Sequence, residues 1–372
     1  MGTLSFWERE TWFSNLDFTV IGSGIVGLNC ALALREKHPK AKILVIDKGI
    51  LPKGASTKNA GFSCFGSMSE IVADLKSHTP EQVVKLVQKR WEGVNRLRKT
   101  LGDKNIGYEQ YGGHEVFLKE QEALFQGANE KLDYVNELLE PIFGSKPFSL
   151  RANEFHFKEV LPHYLSSSFE GQIHTGCMMQ HLIKKVQSKE ITLVYGLEAH
   201  SYEEASNRVI VQCEDFEFST GALFLATNGF ASQFIKEDIL PARAQVLITK
   251  PIESLPFKGV FHMDEGYYYF RNVGNRILFG GARNLDIQGE TTTEFTTTSK
   301  IMNRLELLLK QTIIPDIPYE IDLKWSGIMG VGKQKAPIVK ELSKKVFCGV
   351  RLGGMGVAIG SAIGQDLAHL AD

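Results

Sequence analysis

No stretch of this sequence is apolar for long enough to cross a membrane; its longest apolar runs, such as 222–226 (ALFLA), are strand-sized. An excess of one charge is also missing. In 372 residues, 42 Lys and Arg face 43 Asp and Glu, and a formal charge of −1 gives no long-range attraction for a polyanion. Nucleic acid is therefore not an expected partner. Cysteines are few and scattered: Cys30, Cys64, Cys177, Cys213 and Cys348 make no CxxC pair and no Cys/His ligand spacing. Neither a disulfide framework nor a metal is expected, and unpaired thiols suit a reducing cytoplasm. The first residues lack a basic segment followed by an apolar core, so no secretory signal is expected. A myristoylation motif starting at Gly2 fails because Phe6 stands where Ser or Thr is required. Repeats of solenoid period and low-complexity linkers are absent as well. The expectation is a cytoplasmic globular protein with a large core, 43% of its residues being hydrophobic.

What is present begins near the N-terminus. Residues 17–21 (DFTVI) read as a buried strand, 25–37 as a helix with apolar spacing, and 42–47 (KILVID) as a second buried strand. Between the first two lies Gly22-Ser23-Gly24-Ile25-Val26-Gly27. Gly22 permits a tight turn, Gly24 lets backbone approach a pyrophosphate, and Gly27 lets helix and strand pack closely. The helix start then aims free N–H groups and a partial positive charge at the phosphates. Asp47 follows Gly27 by 20 positions, where an acid accepts hydrogen bonds from ribose hydroxyls and repels a 2′-phosphate. A dinucleotide is the expected ligand.

Further along, 80–101 reads as an amphipathic helix, and 108–118 as a hairpin turning at Gly112-Gly113. Residues 119–139, 176–187 and 299–313 read as helices, and 242–281 as rich in strands. The tail repeats the opening logic: a strand (346–351), the turn Leu352-Gly353-Gly354-Met355-Gly356, and a final helix over 357–371. Such a turn again points N–H groups at one spot.

These segments resemble the FAD-dependent D-amino-acid oxidase superfamily, in particular its glycine oxidase, sarcosine oxidase and γ-glutamylputrescine oxidase-like branches. The likeness is patchwise over nearly the whole chain. GASTKNAGFSC (54–64) is similar to the family segment beneath the pyrophosphate, YGLEAH (195–200) to its adenine contact, and LFLATNGFAS (223–232) to its "ATG" strand end. GYYYFRNVGNRILFGG (266–281) resembles the substrate-domain hairpin, WSGIMGVGKQKAPIV (325–339) the Trp-Gly…Pro loop, and GVRLGGMGVAIG (349–360) the flavin-binding turn.

The resemblance implies non-covalent FAD and an α/β fold. A Rossmann-like FAD-binding domain (15–79, 150–240, 322–372) would carry an inserted α+β substrate domain (80–149, 241–321) on a mostly antiparallel sheet. The implied FAD contacts are Gly22, Ser23, Gly24, Ile25, Val26, Gly27, Asp47, Lys48, Ser56, Thr57, Lys58, Asn59, Ala60, Gly61, Leu197, Thr227, Asn228, Gly229, Gly353, Gly354, Met355 and Gly356. N–H donors at the pyrimidine end of the flavin favour hydride acceptance.

On the substrate side the resemblance implies a small amine or amino acid, held for hydride transfer rather than worked on by a catalytic triad. The family's carboxylate-gripping Arg corresponds to Met329, a departure that puts a simple α-amino acid in question. Arg271 is the nearest replacement, on one strand face with Tyr267 and Tyr269, and the alternative for it is plain sheet packing. Arg243 and Arg351 stand in the same position. Lys58 is the nearest candidate for a lysine over the flavin. Oxidation of a 2-hydroxy acid or glycerol phosphate, or a flavoprotein with a binding role alone, are the competing readings.

Overall fold

The protein is described by a computed structural model covering residues 4–371, so Gly2 lies outside the described residues. Two eight-stranded sheets organise it. The first runs in the order Ile338–Ser343, Val346–Val350, Glu217–Leu225, Leu16–Ile21, Ile43–Asp47, Thr192–Tyr195. Pairings among its four inner strands and with Thr192–Tyr195 are parallel. All five side chains of Ile43–Asp47 are buried, as a parallel strand covered on both faces requires. Ala199–Glu204 and Val209–Cys213 extend this sheet antiparallel from Glu217–Leu225.

One face of the sheet is covered by helices in near backbone contact. A Cβ on Gly93 would lie 2.1 Å from the Ala358 carbonyl oxygen, and one on Gly364 2.5 Å from that of Val26. Ser361 also donates to the Gly93 carbonyl at 2.6 Å. Helix Pro80–Leu101 is thereby clamped to Gly356–His369, which lies against Ile25–Lys37. Its Leu97 and Leu101 pack in the core of the first sheet's helices while Val83 and Val87 pack with Phe117 and Leu165 on the second sheet's side, so the helix bridges the division expected at residue 80.

The second sheet runs Ile321–Val331, Leu240–Thr249, Arg276–Gly281, Tyr268–Val273, Val260–Met263, Gly113–Glu115, His163–Ser167, Ser149–Ala152. It is antiparallel except where Gly113–Glu115 pairs with Val260–Met263. Its core is aromatic, with Phe261 and Phe270 stacked 4.6 Å apart and Phe157, Phe257 and Phe279 around them. Three expectations need correcting. Residues 108–118 form no local hairpin: Gly113–Glu115 pairs only with distant strands. The expected loop at 325–339 is strand from Trp325 to Val331, pairing with Leu240–Thr249. The seams placed at 150 and 322 likewise shift, because Ser149–Ala152, His163–Ser167 and Ile321–Val331 all belong to the second sheet.

Candidate active site

At the C-terminal end of Leu16–Ile21 the chain turns with Gly22 at φ +105°, where a Cβ would sit 2.7 Å from the Ala226 carbonyl oxygen. A Cβ on Gly27 would meet the Gly22 oxygen at 1.8 Å, so this position is closed to any side chain. Gly24 caps helix Ile25–Lys37, and its Cβ would approach the Ser56 hydroxyl at 2.8 Å. That hydroxyl accepts from the Ile25 N–H at 3.0 Å, tying the 54–61 segment to the helix start. Asp47 accepts from the Ser23 N–H and hydroxyl at 2.9 and 2.8 Å and from the Gly49 N–H at 3.0 Å. It holds the glycine turn while still facing the cavity beside it.

The C-terminal turn closes on the same place. Gly353 and Gly354 take φ +57° and +84°, and the Leu352 N–H donates to the Asn228 side chain at 3.2 Å. Gly24 and Gly354 line one cavity of about 570 Å³, the scale of a small-molecule site, so the two glycine-led helix starts converge. Thr227, on the cavity wall, has a buried hydroxyl with no partner among the described residues. Such an atom calls for a ligand.

Of the expected contacts, Gly22, Gly24, Ile25, Val26, Asp47, Lys48, Ser56, Lys58, Asn59, Ala60, Gly61, Leu197, Thr227, Asn228, Gly353, Gly354, Met355, Gly356 and Tyr267 reach the cavity. Ser23, Gly27, Thr57 and Gly229 stand behind its wall: Ser23 on Asp47, Gly27 in helix packing, Thr57 donating to the Pro52 carbonyl, and Gly229 pressed against Met329. The Leu197 N–H is spent on the Asp47 carbonyl at 3.1 Å, which leaves its own carbonyl for a ligand.

Arg271 also needs correction. Its guanidinium is buried and donates to three backbone carbonyls, those of Ala60 (2.5 Å), Asn272 (3.1 Å) and Ile173 (2.9 Å). Burial lowers its pKa to about 10, and the more distant charge of Glu109 offsets only part of that. It ties the 54–61 segment to the second sheet and has no fork left for a substrate. Arg243 is likewise spent on Glu290, Thr296 and the Gly289 carbonyl, and Arg351 on Asp238 and the Ala336 carbonyl. Lys58 reaches the cavity, its ammonium 5.5 Å from the Phe295 ring centre.

Several cavity residues escape sequence reasoning. Glu70 and Asp74, one turn apart on helix Met68–Ser77, bind Lys335 at 3.5 and 2.6 Å. His262 lines the wall and pairs with buried Glu170 at 3.0 Å. Burial opposes the imidazolium, but Glu170 together with the charges of Glu115 and Glu70 outweighs it, so the His262 pKa is raised. Cys64 joins this pair, the three ligand atoms lying within 4.8 Å of one another. Burial and the Glu170 charge push the Cys64 thiol well up, which favours a protonated thiol beside an ion pair. Arg283 is the last, on the wall just past Gly281. The Glu70/Asp74 spacing of four was the one readable signal; the others meet only through long-range pairing.

With this geometry in place, the family described as FAD dependent oxidoreductase (DAO) matches residues 17–370. The chain belongs to that family. It is an FAD-dependent oxidoreductase, and the paired glycine turns and the partnerless Thr227 hydroxyl suit a bound dinucleotide. The protein named "Probable oxidoreductase OrdL" from Haemophilus influenzae is 20% identical, over 96% of this chain and 83% of that one. Among solved structures, glycine oxidase from Geobacillus kaustophilus superposes with TM-score 0.78 at 17% identity, covering 95% of this chain and 94% of that one. L-proline dehydrogenase from P. horikoshii gives 0.76 at 17% identity, with coverage of 96% and 93%. These likenesses carry the Rossmann-like fold. Among the described residues no helix is long and apolar enough to cross a membrane.

Proposed function

We propose that this flavoprotein oxidises the C–N bond of a small amine or amino acid. The observation that carries the reading is one cavity shared by both glycine-led turns and by an aromatic wall, Tyr267 and Tyr269, from the second sheet. FAD, when bound, supplies the two-electron acceptor. Gly22, Gly24 and the start of Ile25–Lys37 would hold the pyrophosphate, Asp47 the ribose, and the 353–356 turn the flavin end. The first sheet and its helices form the cofactor side and the second sheet the substrate side.

Tyr267 and Tyr269 confine the substrate, and neither phenol has a hydrogen-bond partner among the described residues. Burial raises the Tyr269 pKa to about 12, so at neutral pH its phenol is a donor to the substrate. Position, not a triad, then sets the rate. Support comes from the names of similar structures: a glycine oxidase, a proline dehydrogenase and an iminodiacetate oxidase. The test is anaerobic mixing of FAD-loaded protein with panels of amines, amino acids and 2-hydroxy acids. Bleaching by amines or amino acids is expected; bleaching by hydroxy acids alone would overturn the reading.

A further inference from the structure

Three segments far apart in the sequence bring a thiol, an imidazole and a carboxylate to one buried point. Cys64 follows Phe62–Ser63, whose antiparallel partner is Gly171–Gln172, and the pairing of Ser63 with Gly171 sets Glu170 beside Cys64. His262, from Val260–Met263, meets the Glu170 carboxylate at 3.0 Å. One ligand atom from each of the three lies within 4.8 Å of the other two, and all three residues are buried. Glu170 is held in place on two sides. Its other oxygen accepts from the Phe65 N–H at 3.2 Å, and its side chain fills the space left by Gly113, where a Cβ would sit 1.9 Å from Oε2.

These dimensions suit a metal ion. Nitrogen and oxygen ligands at about 2.0–2.1 Å from a tetrahedral ion stand roughly 3.3 Å apart, close to the His262–Glu170 separation, and the Cys64 sulfur has only to close by roughly 1 Å. A thiolate, an imidazole and a carboxylate select a zinc-class ion over magnesium or calcium, which take oxygen ligands. Charge favours the same ion. With the thiol and imidazole deprotonated for binding, the three ligands carry two negative charges that a dication cancels. Further negative charge is close by: Glu115, opposite His262 in the strand register, is bonded to Ser67 and Ser69 and pairs with no cation among the described residues. Without the ion the same groups keep the His262–Glu170 pair. Cys64 and His262 both line the cavity, and His262 lies opposite Tyr269 in the register, so the site borders the substrate side.

We propose that Cys64, Glu170 and His262 form a zinc site in the wall of the flavin cavity, its fourth position open toward that cavity. FAD-loaded protein is dialysed against micromolar zinc sulfate with magnesium in excess, and bound metal is counted by mass spectrometry beside flavin by absorbance; no turnover is needed. The expected result is about one zinc per chain, with an X-ray absorption spectrum showing one sulfur at about 2.3 Å and the remaining ligands at about 2.0–2.1 Å. Cys64→Ala and His262→Gln should each weaken zinc binding by roughly 100-fold or more, since loss of a mere outer partner of a metal costs about 10- to 100-fold. Cys177→Ala, which removes the half-buried thiol elsewhere, should leave zinc binding unchanged. Flavin content reports whether each variant has folded, and the wild-type spectrum decides the matter even where His262→Gln does not. No zinc above the buffer level, a spectrum without sulfur, or zinc bound by Cys64→Ala as tightly as by wild type would overturn the assignment.

Discussion

Replacing Arg271 by Met separates a structural tie from a substrate anchor. The side chain donates to the Ala60, Asn272 and Ile173 carbonyls from a buried position. Methionine fills similar space but leaves those acceptors without a charged donor. Each such bond contributes about 1.5–3 kcal/mol, and recovery of the guanidinium's desolvation cost offsets part of the total, leaving a net loss of roughly 3–5 kcal/mol. For a chain of 372 residues that corresponds to a fall in Tm of roughly 4–7 °C.

The loss has a direction as well as a size. Ala60 and Gly61 lie in the segment whose Ser56 hydroxyl accepts from the Ile25 N–H. Loosening it should weaken FAD binding before it touches the substrate side. Thermal unfolding, with and without added FAD, measures the first effect, and FAD titration of the stripped protein the second. At saturating FAD, KM for the best substrate should change by less than about threefold, because no uniform substrate contact has been removed. An unchanged Tm together with a KM raised tenfold or more would refute this reasoning and return Arg271 to the substrate site.

Gly24→Ala should lower FAD retention sharply while the protein stays folded, since its Cβ meets a movable Ser56 hydroxyl. Gly27→Ala should prevent soluble folding, since its Cβ meets backbone at 1.8 Å; equal behaviour of the two in expression and flavin content would contradict the cradle. Thiol titration of the native protein should modify half-buried Cys177 first, with Cys30, Cys64, Cys213 and Cys348 reacting only on unfolding. The pH dependence of stability should have two limbs. His262 has a raised pKa, so its contribution is complete below about pH 6.5 and fades as pH rises through the folded value; Glu170→Gln should flatten that limb. Burial and then the charge of His262 lower the His114 pKa to about 4, so its contribution fades as pH falls from about 6.5 toward 4, and His114→Gln should flatten this opposite limb. Denaturation midpoints across pH check both.

The cofactor half was legible because its signals are local. Strand, glycine turn, helix and Asp47 span 16–47, and each glycine's role follows from contacts inside that span or with one neighbouring strand end. The substrate half was opaque for the converse reason. Gly113–Glu115 reads as one arm of a hairpin because the sequence signals a turn, but only long-range pairing reveals its partners, Val260–Met263 and His163–Ser167. Trp325–Val331 is expected as loop only through its likeness to the family's Trp-Gly…Pro segment, yet its long antiparallel register with Leu240–Thr249 makes it an edge strand.

The arginines show the same limit at the level of a single side chain. Sequence placed Arg271 on a strand face beside Tyr269, and by the period of two this was correct. What sequence could not show is which acceptors that face meets. The 54–61 segment returns beneath the second sheet and presents the Ala60 carbonyl 2.5 Å from Arg271 Nε, so this guanidinium is consumed in holding the segment that lines the cavity. Arg283 lies beyond the strand, after a left-handed Ala282 that periodicity cannot anticipate, and keeps its donors free for that reason. A buried cation with its valences filled by backbone stabilises the fold; one held at the rim without a partner is available to a ligand. Counting committed donors therefore distinguishes the two roles where residue type and strand position do not.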